Sequence, residues 1–147
     1  MPAGSETGRD EELSEELMIE GIGGVFLFSN DTKRLVTWYR DCLGILAEGQ
    51  DSECDSIYKS FEYRDIENPE IKRTIVWAII PTKQDIKDKP RTGRINYLVK
   101  NLGEVLSHLK SKGVAIEKTA EDPYGNFAWV RDPDGNQIEL WEPSESV

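Results

Sequence analysis

The chain has 147 residues, 37% hydrophobic and 31% charged, which is enough apolar material for one globular domain and too little length for a multi-domain enzyme. Its formal net charge of −10 repels phosphate backbones and anionic lipid, which argues against nucleic-acid and membrane-surface partners. No apolar run approaches membrane-spanning length.

Residues 1–20 hold seven acidic side chains against Arg9 alone, a net −6 that leaves −4 for the remainder. This acidic N-terminal extension has neither the basic-then-apolar order of a secretory signal nor the arginine richness of a transit peptide, so a cytoplasmic location is expected. Leu13, Leu17 and Met18 have helical spacing. They fit either a short amphipathic helix docked on the domain or a second subunit, or a solvated extension. Cys42 and Cys54 form neither a disulfide framework nor a Cys-x-x-Cys site and read as free thiols.

From residue 24 the chain is patterned. Residues 24–31 read as a strand ending in the cap residues Asn30 and Asp31. A helix follows with Leu35, Trp38, Tyr39 and Cys42 on one stripe, stopping at Leu43-Gly44. Weaker strand signals lie at 45–48, 58–63 and 73–80, and 62–70 reads as a charged loop. The loop over 82–93, flanked by Pro81 and containing Pro90, links to a second copy of the pattern. That copy begins with a strand over 94–101 and a helix carrying Leu102, Val105, Leu106 and Leu109 before Gly113-Val114, an offset of 70 residues from the first. Strands at 115–118, 127–131 and 137–141 complete it, the last two joined by the turn Asp132-Pro133-Asp134-Gly135-Asn136. Tyr124-Gly125-Asn126 reads as a turn or part of a rim. The expected fold class is α+β: two β-α-β-β-β modules, about 21–81 and 94–143 within one domain, with a short tail at 144–147.

The order of elements resembles the vicinal-oxygen-chelate superfamily of glyoxalases, bleomycin-resistance proteins and extradiol dioxygenases. The residues that carry the resemblance are 24–31, Trp38-Tyr39-Arg40-Asp41-Cys42-Leu43-Gly44 and, above all, 127–141. It covers roughly residues 21–143 and implies a cupped mixed sheet, helices on its outside, and a small-molecule site in the cup. In metal-dependent relatives each half supplies one ligand from its first strand and one from its last. Those positions fall on Gly24, Trp77, Arg94 and Glu139, the Trp77 match resting on Pro81 and Pro143 lying four residues beyond Trp77 and Glu139. Only Glu139 can bind a metal, since glycine has no side chain, indole only donates and guanidinium repels a cation. His108, the single histidine, lies on the second helix beside its apolar stripe. No metal and no cofactor are therefore expected.

Strand alternation adds neighbours two residues away to these cup positions. The expected ligand-binding set is Phe26, Phe28, Trp77, Arg94, Asn96, Gln137, Glu139 and Trp141, with Gly24, Ile75, Ile79 and Leu98 completing the lining. Val25, Leu27, Val76, Ile95, Tyr97, Val99, Ile138 and Leu140 are expected to pack under the helices. Trp77, Trp141 and Phe26 stack on a planar ligand or fill the core. Arg94 and Glu139 neutralise each other where relatives hold a metal, or act as anion anchor and general base. Three functions follow: a metal-free small-molecule-binding protein, as resistance proteins of the superfamily sequester a drug; a metal-independent lyase or isomerase using Glu139 and Arg94; or a protein-interaction module. The resemblance leaves open whether the halves close within one chain or across a homodimer.

Overall fold

The computed structural model describes residues 22–51, 55–89 and 93–145. The acidic extension, with Leu13, Leu17 and Met18, lies outside the described residues, as does Cys54. The first half runs β1 (Gly24–Ser29), α1 (Thr32–Leu43), β2 (Gly49–Gln50), β3 (Ile57–Arg64) and β4 (Lys72–Pro81). The second runs β5 (Arg94–Leu98), α2 (Leu102–Ser111), β6 (Lys118–Asp122), β7 (Gly125–Arg131) and β8 (Gln137–Pro143). Two four-stranded mixed sheets result, ordered β1-β4-β3-β2 and β5-β8-β7-β6, each with one parallel pair and two antiparallel ones. This is the expected α+β arrangement of two β-α-β-β-β halves.

Local chemistry fixes the helix ends. The Asp31 carboxylate accepts from the Arg34 backbone N–H at 3.1 Å, and the Asn101 side chain does the same for Glu104 at 3.1 Å. Gly44 and Gly113 take left-handed φ values of 70° and 77°, letting the chain reverse after each helix. The segment expected as a strand at 45–48 is instead a helix exit: the Ile45 N–H bonds to the Tyr39 carbonyl at 3.1 Å and the Ile45 side chain is buried. Its hydrophobicity serves the helix cap, and pairing with β3 begins only at Glu48, whose N–H bonds to Tyr58 O at 2.8 Å. The charged loop is shorter than expected, because pairing between β3 and β4 continues out to Arg64 and Lys72. In the second half, Val114 and Ile116 pack against the core before β6 begins at Lys118.

The helix-facing sides of both sheets and both helices share one core, which includes Leu27, Leu35, Tyr39, Trp77, Ile79, Leu109, Val130, Ile138 and Leu140. α1 covers β1 and β4, α2 covers β7 and β8, and the helices touch each other. Tyr39 ties the halves together. Its ring meets Trp77 edge to face at 5.0 Å, and its hydroxyl donates to the buried Asp132 carboxylate at 2.7 Å. Asp132 also accepts from the Asp134 and Asn136 backbone N–H groups, both at 2.9 Å, and so organises the β7–β8 turn. Trp77 Nε1 donates to Tyr97 Oη at 2.9 Å, a second bond between halves. Burial raises the Tyr39 hydroxyl pKa above its ordinary value, with Tyr97 and Asp132 adding to it. Burial also pushes Tyr97 up to about 12.

No helix among the described residues is long and apolar enough to cross a membrane. The face of each sheet opposite its helix stays open.

Candidate functional site

In-register partners project to the same side of a sheet, so pairing defines the open face of the second sheet row by row. Arg94, Gln137 and Arg131 form one row. Asn96, Glu139, Trp129 and Lys118 form the next, and Leu98, Trp141, Phe127 and Ala120 the third. The expected residues Arg94, Asn96, Gln137, Glu139 and Trp141 are thus brought together on one surface.

Glu139 is its hub. Oε2 lies 2.8 Å from Arg94 Nη2 and accepts from Trp129 Nε1 at 2.9 Å, while Oε1 accepts from Asn96 Nδ2 at 2.9 Å. The Glu139 side chain is 13% exposed and that of Arg94 is 47% exposed, so the carboxylate is sheltered while the guanidinium keeps a solvent-facing edge. Beside this pair stands an array of near-parallel rings. Trp129 and Phe127 are 6.0 Å apart at 14°, and Phe127 and Trp141 are 6.2 Å apart at 9°. Arg94 and Lys118 both approach the Trp129 ring, at 5.7 and 5.4 Å from its centroid. Trp141 Nε1 donates to Tyr124 O at 3.0 Å, which orients that ring. Tyr124 sits in the turn before β7, whereas Gly125 and Asn126 belong to the strand. Gly125 is required there: at φ 137° a Cβ would collide with the Glu142 carbonyl.

Phe127, Trp129, Lys118, Arg131 and Ala120 are the members of this surface that sequence reasoning missed. For the two aromatic residues the signal is alternation: Phe127, Trp129 and Arg131 alternate with the buried Ala128 and Val130, and the 132–136 turn sets them opposite β8.

The open face of the first sheet carries Gly24 with Val76 and Ser60, then Phe26 with Ala78 and Tyr58, then Phe28 with Ile80. Phe26 and Phe28 are 52% and 53% exposed and line a groove of about 470 Å³ with Thr82, Gln84, Ile86 and Asn136. Asn30 holds one wall of that groove by donating to Thr82 O and Gln84 O, both at 2.8 Å.

Trp77 does not join the site. It is 2% exposed, and it faces α1 together with Ile75 and Ile79, one residue out of step with the expected register, while Val76 faces the open side. Matching the two parallel pairs, Gly24 with Val76 and Arg94 with Gln137, puts Ala78 rather than Trp77 level with Glu139. Under the first-strand and last-strand rule that the family resemblance implies, the corresponding positions in this register are Gly24, Ala78, Arg94 and Glu139. At Gly24 a Cβ would meet the Phe26 ring at 2.8 Å, so Phe26 folds into the space of any side chain there. Glu139 alone offers a donor atom, and three protein donors already engage it. These residues do not fit a divalent metal, and no group of three His, Cys, Asp or Glu residues suited to one occurs among the described residues. His108 lies elsewhere, with Nε2 2.8 Å from the Asp41 carbonyl near the end of α1.

On the opposite side of the second sheet, Glu142 accepts from the Leu102 N–H at 2.8 Å and from Asn126 Nδ2 at 2.9 Å. These donors, the backbone one first, hold its carboxyl below the usual range. Glu142 serves the start of α2, not the open face.

Solved structures share this fold at low sequence identity. An integron cassette protein from the mobile metagenome of Halifax Harbour Sewage Outfall superposes with a TM-score of 0.62 at 16% identity, covering 84% of this chain and 99% of that one. The antibiotic-binding protein TnmS3 from Streptomyces sp. CB03234 gives 0.61 at 18%, covering 87% and 99%. Lactoylglutathione lyase from Agrobacterium tumefaciens gives 0.57 at 14%, covering 86% and 96%. No curated protein matches the chain. The family model that describes glyoxalases, bleomycin resistance proteins and dioxygenases matches residues 21–140, and with most of its length inside that match the chain belongs to the glyoxalase/bleomycin resistance protein/dioxygenase superfamily.

Proposed function

We propose that this protein binds a small, partly apolar molecule on the open sheet faces, without a metal, in the cytoplasm. The carrying observation is the state of Glu139: Arg94, Asn96 and Trp129 engage both oxygens of this carboxylate, beside the near-parallel rings of Phe127, Trp129 and Trp141. A sheltered polar cluster next to aromatic surface is the usual make-up of a small-molecule site. Phe26, Phe28, Arg94, Asn96, Gln137, Glu139 and Trp141 are its binding residues, with Trp129 and Phe127 added. The antibiotic-binding relative supports a sequestering role.

A homodimer completes the site in this reading. Within one chain Phe26 and Phe28 are half exposed and Leu98 is 70% exposed, and among the described residues β1 and β5 are both edge strands with an unpaired side. Two copies that set β1 of one beside β5 of the other would join an apolar face to a polar one. Sedimentation analysis is expected to give a dimer; a monomer at every concentration tested removes this part.

Metal analysis of protein purified without chelator, with native mass spectrometry of the same sample, tests the main reading. The expected result is no stoichiometric transition metal and a retained small molecule. Stoichiometric zinc, nickel or iron overturns it. The half-exposed Arg94 guanidinium beside a sheltered carboxylate also favours a second reading, a metal-independent lyase or isomerase with Arg94 as anion anchor and Glu139 as general base. For it, Glu139 must release one of its donors, and turnover must vanish in Glu139→Gln.

A further inference from the structure

The open face of the second sheet runs against the charge of the molecule that carries it. The chain is −10 overall, yet this face presents Arg94, Lys118 and Arg131 around a single central carboxylate, Glu139. The other acids of these strands point elsewhere or are engaged. Glu121 and Glu142 share the opposite-facing row with Asn126, and Asp122 at the far end accepts from the Tyr124 N–H at 2.7 Å. Arg131 is committed too, to Glu117 at 3.1 Å and to the Gly135 carbonyl at 3.1 Å.

Arg94 and Lys118 remain. Arg94 uses one terminal nitrogen on Glu139 while its side chain stays 47% exposed, and Lys118 has no carboxylate partner among the described residues. Both cations converge on the ring of Trp129, the first member of the parallel series Trp129, Phe127 and Trp141. Rings presented in parallel offer stacking area to a flat molecule, and two cations at one end of the series offer a counter-charge.

Building on the small-molecule reading above, we infer that the ligand is a planar aromatic anion, an aromatic carboxylate or phenolate, with its rings against Phe127, Trp129 and Trp141 and its charge between Arg94 and Lys118. Neither an aliphatic acid nor a neutral aromatic uses both halves of this surface.

Isothermal titration calorimetry of the full chain with 2-naphthoate, 2-naphthalenemethanol and cyclohexanecarboxylate separates the contributions. The naphthoate is expected to bind at least about tenfold more tightly than either control, and more weakly as salt is raised. Lys118→Ala and Arg94→Gln are expected to weaken naphthoate about tenfold each, and Lys118→Ala to leave naphthalenemethanol within about twofold. Trp129→Leu is expected to remove the preference for the aromatic acid over cyclohexanecarboxylate; if that variant does not fold, the two cation variants carry the test. Equal binding of naphthalenemethanol and naphthoate, or of the two acids, overturns the ligand class while the small-molecule reading stands. Absence of heat with all three probes overturns the ligand class, while the small-molecule reading rests on the retained molecule sought by native mass spectrometry.

Discussion

On the first sheet Phe26, Ala78 and Tyr58 occupy the level that Asn96, Glu139 and Trp129 occupy on the second. One row is apolar apart from a phenol, and the other is a carboxylate held by donors on both sides of it, with Arg94 of the next row as a third. On the helix-facing sides the contrast disappears: Val25 and Trp77 in one half match Ile95 and Ile138 in the other, and Leu27 and Ile79 match Tyr97 and Leu140. The helix-facing rows are fixed by a core that both halves build together, so volume and hydrophobicity constrain them. The open rows carry no such load, and there the two halves have taken on different chemistry: stacking surface on one, charge and aromatic surface on the other.

Substitution of one tryptophan on each side should separate the two roles most sharply. Trp77→Ala removes a fully enclosed indole and its bond to Tyr97, and is expected to cost about 3–5 kcal/mol in urea unfolding. Trp141→Ala, on the open face, is expected to cost about 1 kcal/mol and to weaken ligand binding instead. Equal losses would erase the distinction between the faces. Next in size is Tyr39→Phe, which deletes a buried hydrogen bond to a carboxylate that links the halves. A loss of about 2 kcal/mol is expected, with a single unfolding transition retained.

The shared core should also reveal itself at high pH. Tyr97 titrates near 10 when unfolded and at about 12 when folded, because burial disfavours the phenolate. A folded pKa above the unfolded one contributes stability that is complete below about pH 10 and lost as pH rises towards about 12. Alkaline titration followed by circular dichroism is expected to show that loss, reduced in Tyr97→Phe. A comparable effect belongs to Glu139→Gln, which turns one accepting oxygen into a donor facing either Asn96 or Trp129 and Arg94: a loss of about 1–2 kcal/mol is expected, with a marked change in ligand affinity.

Much of this architecture was legible residue by residue. Asp31 and Asn101 announced the helix starts, Gly44 and Gly113 the stops, and the 132–136 turn the last hairpin. On β5 and β8 polar and apolar residues alternate, so their open faces were readable as well. β4 was not, because Ile75, Val76, Trp77, Ala78, Ile79 and Ile80 are apolar on both sides. Without alternation the register rested on counting back from a proline, and a one-residue error reverses every side chain. Trp129 was within reach of the same argument, since the hairpin turn sets it opposite Glu139. Lys118 was not: it read as the end of a strand that in fact begins there.

The bond from Tyr39 to Asp132 spans 93 residues. During synthesis α1 is complete long before its carboxylate partner has been made, and loop closure over such a distance costs entropy that only the finished core repays. The first half therefore holds Trp77 without Tyr97 until the second half begins, and Tyr39 without its Asp132 partner until nearly the whole second half has been made. Ribosome-bound chains truncated before residue 132 are expected to bind chaperones more than chains that extend past it.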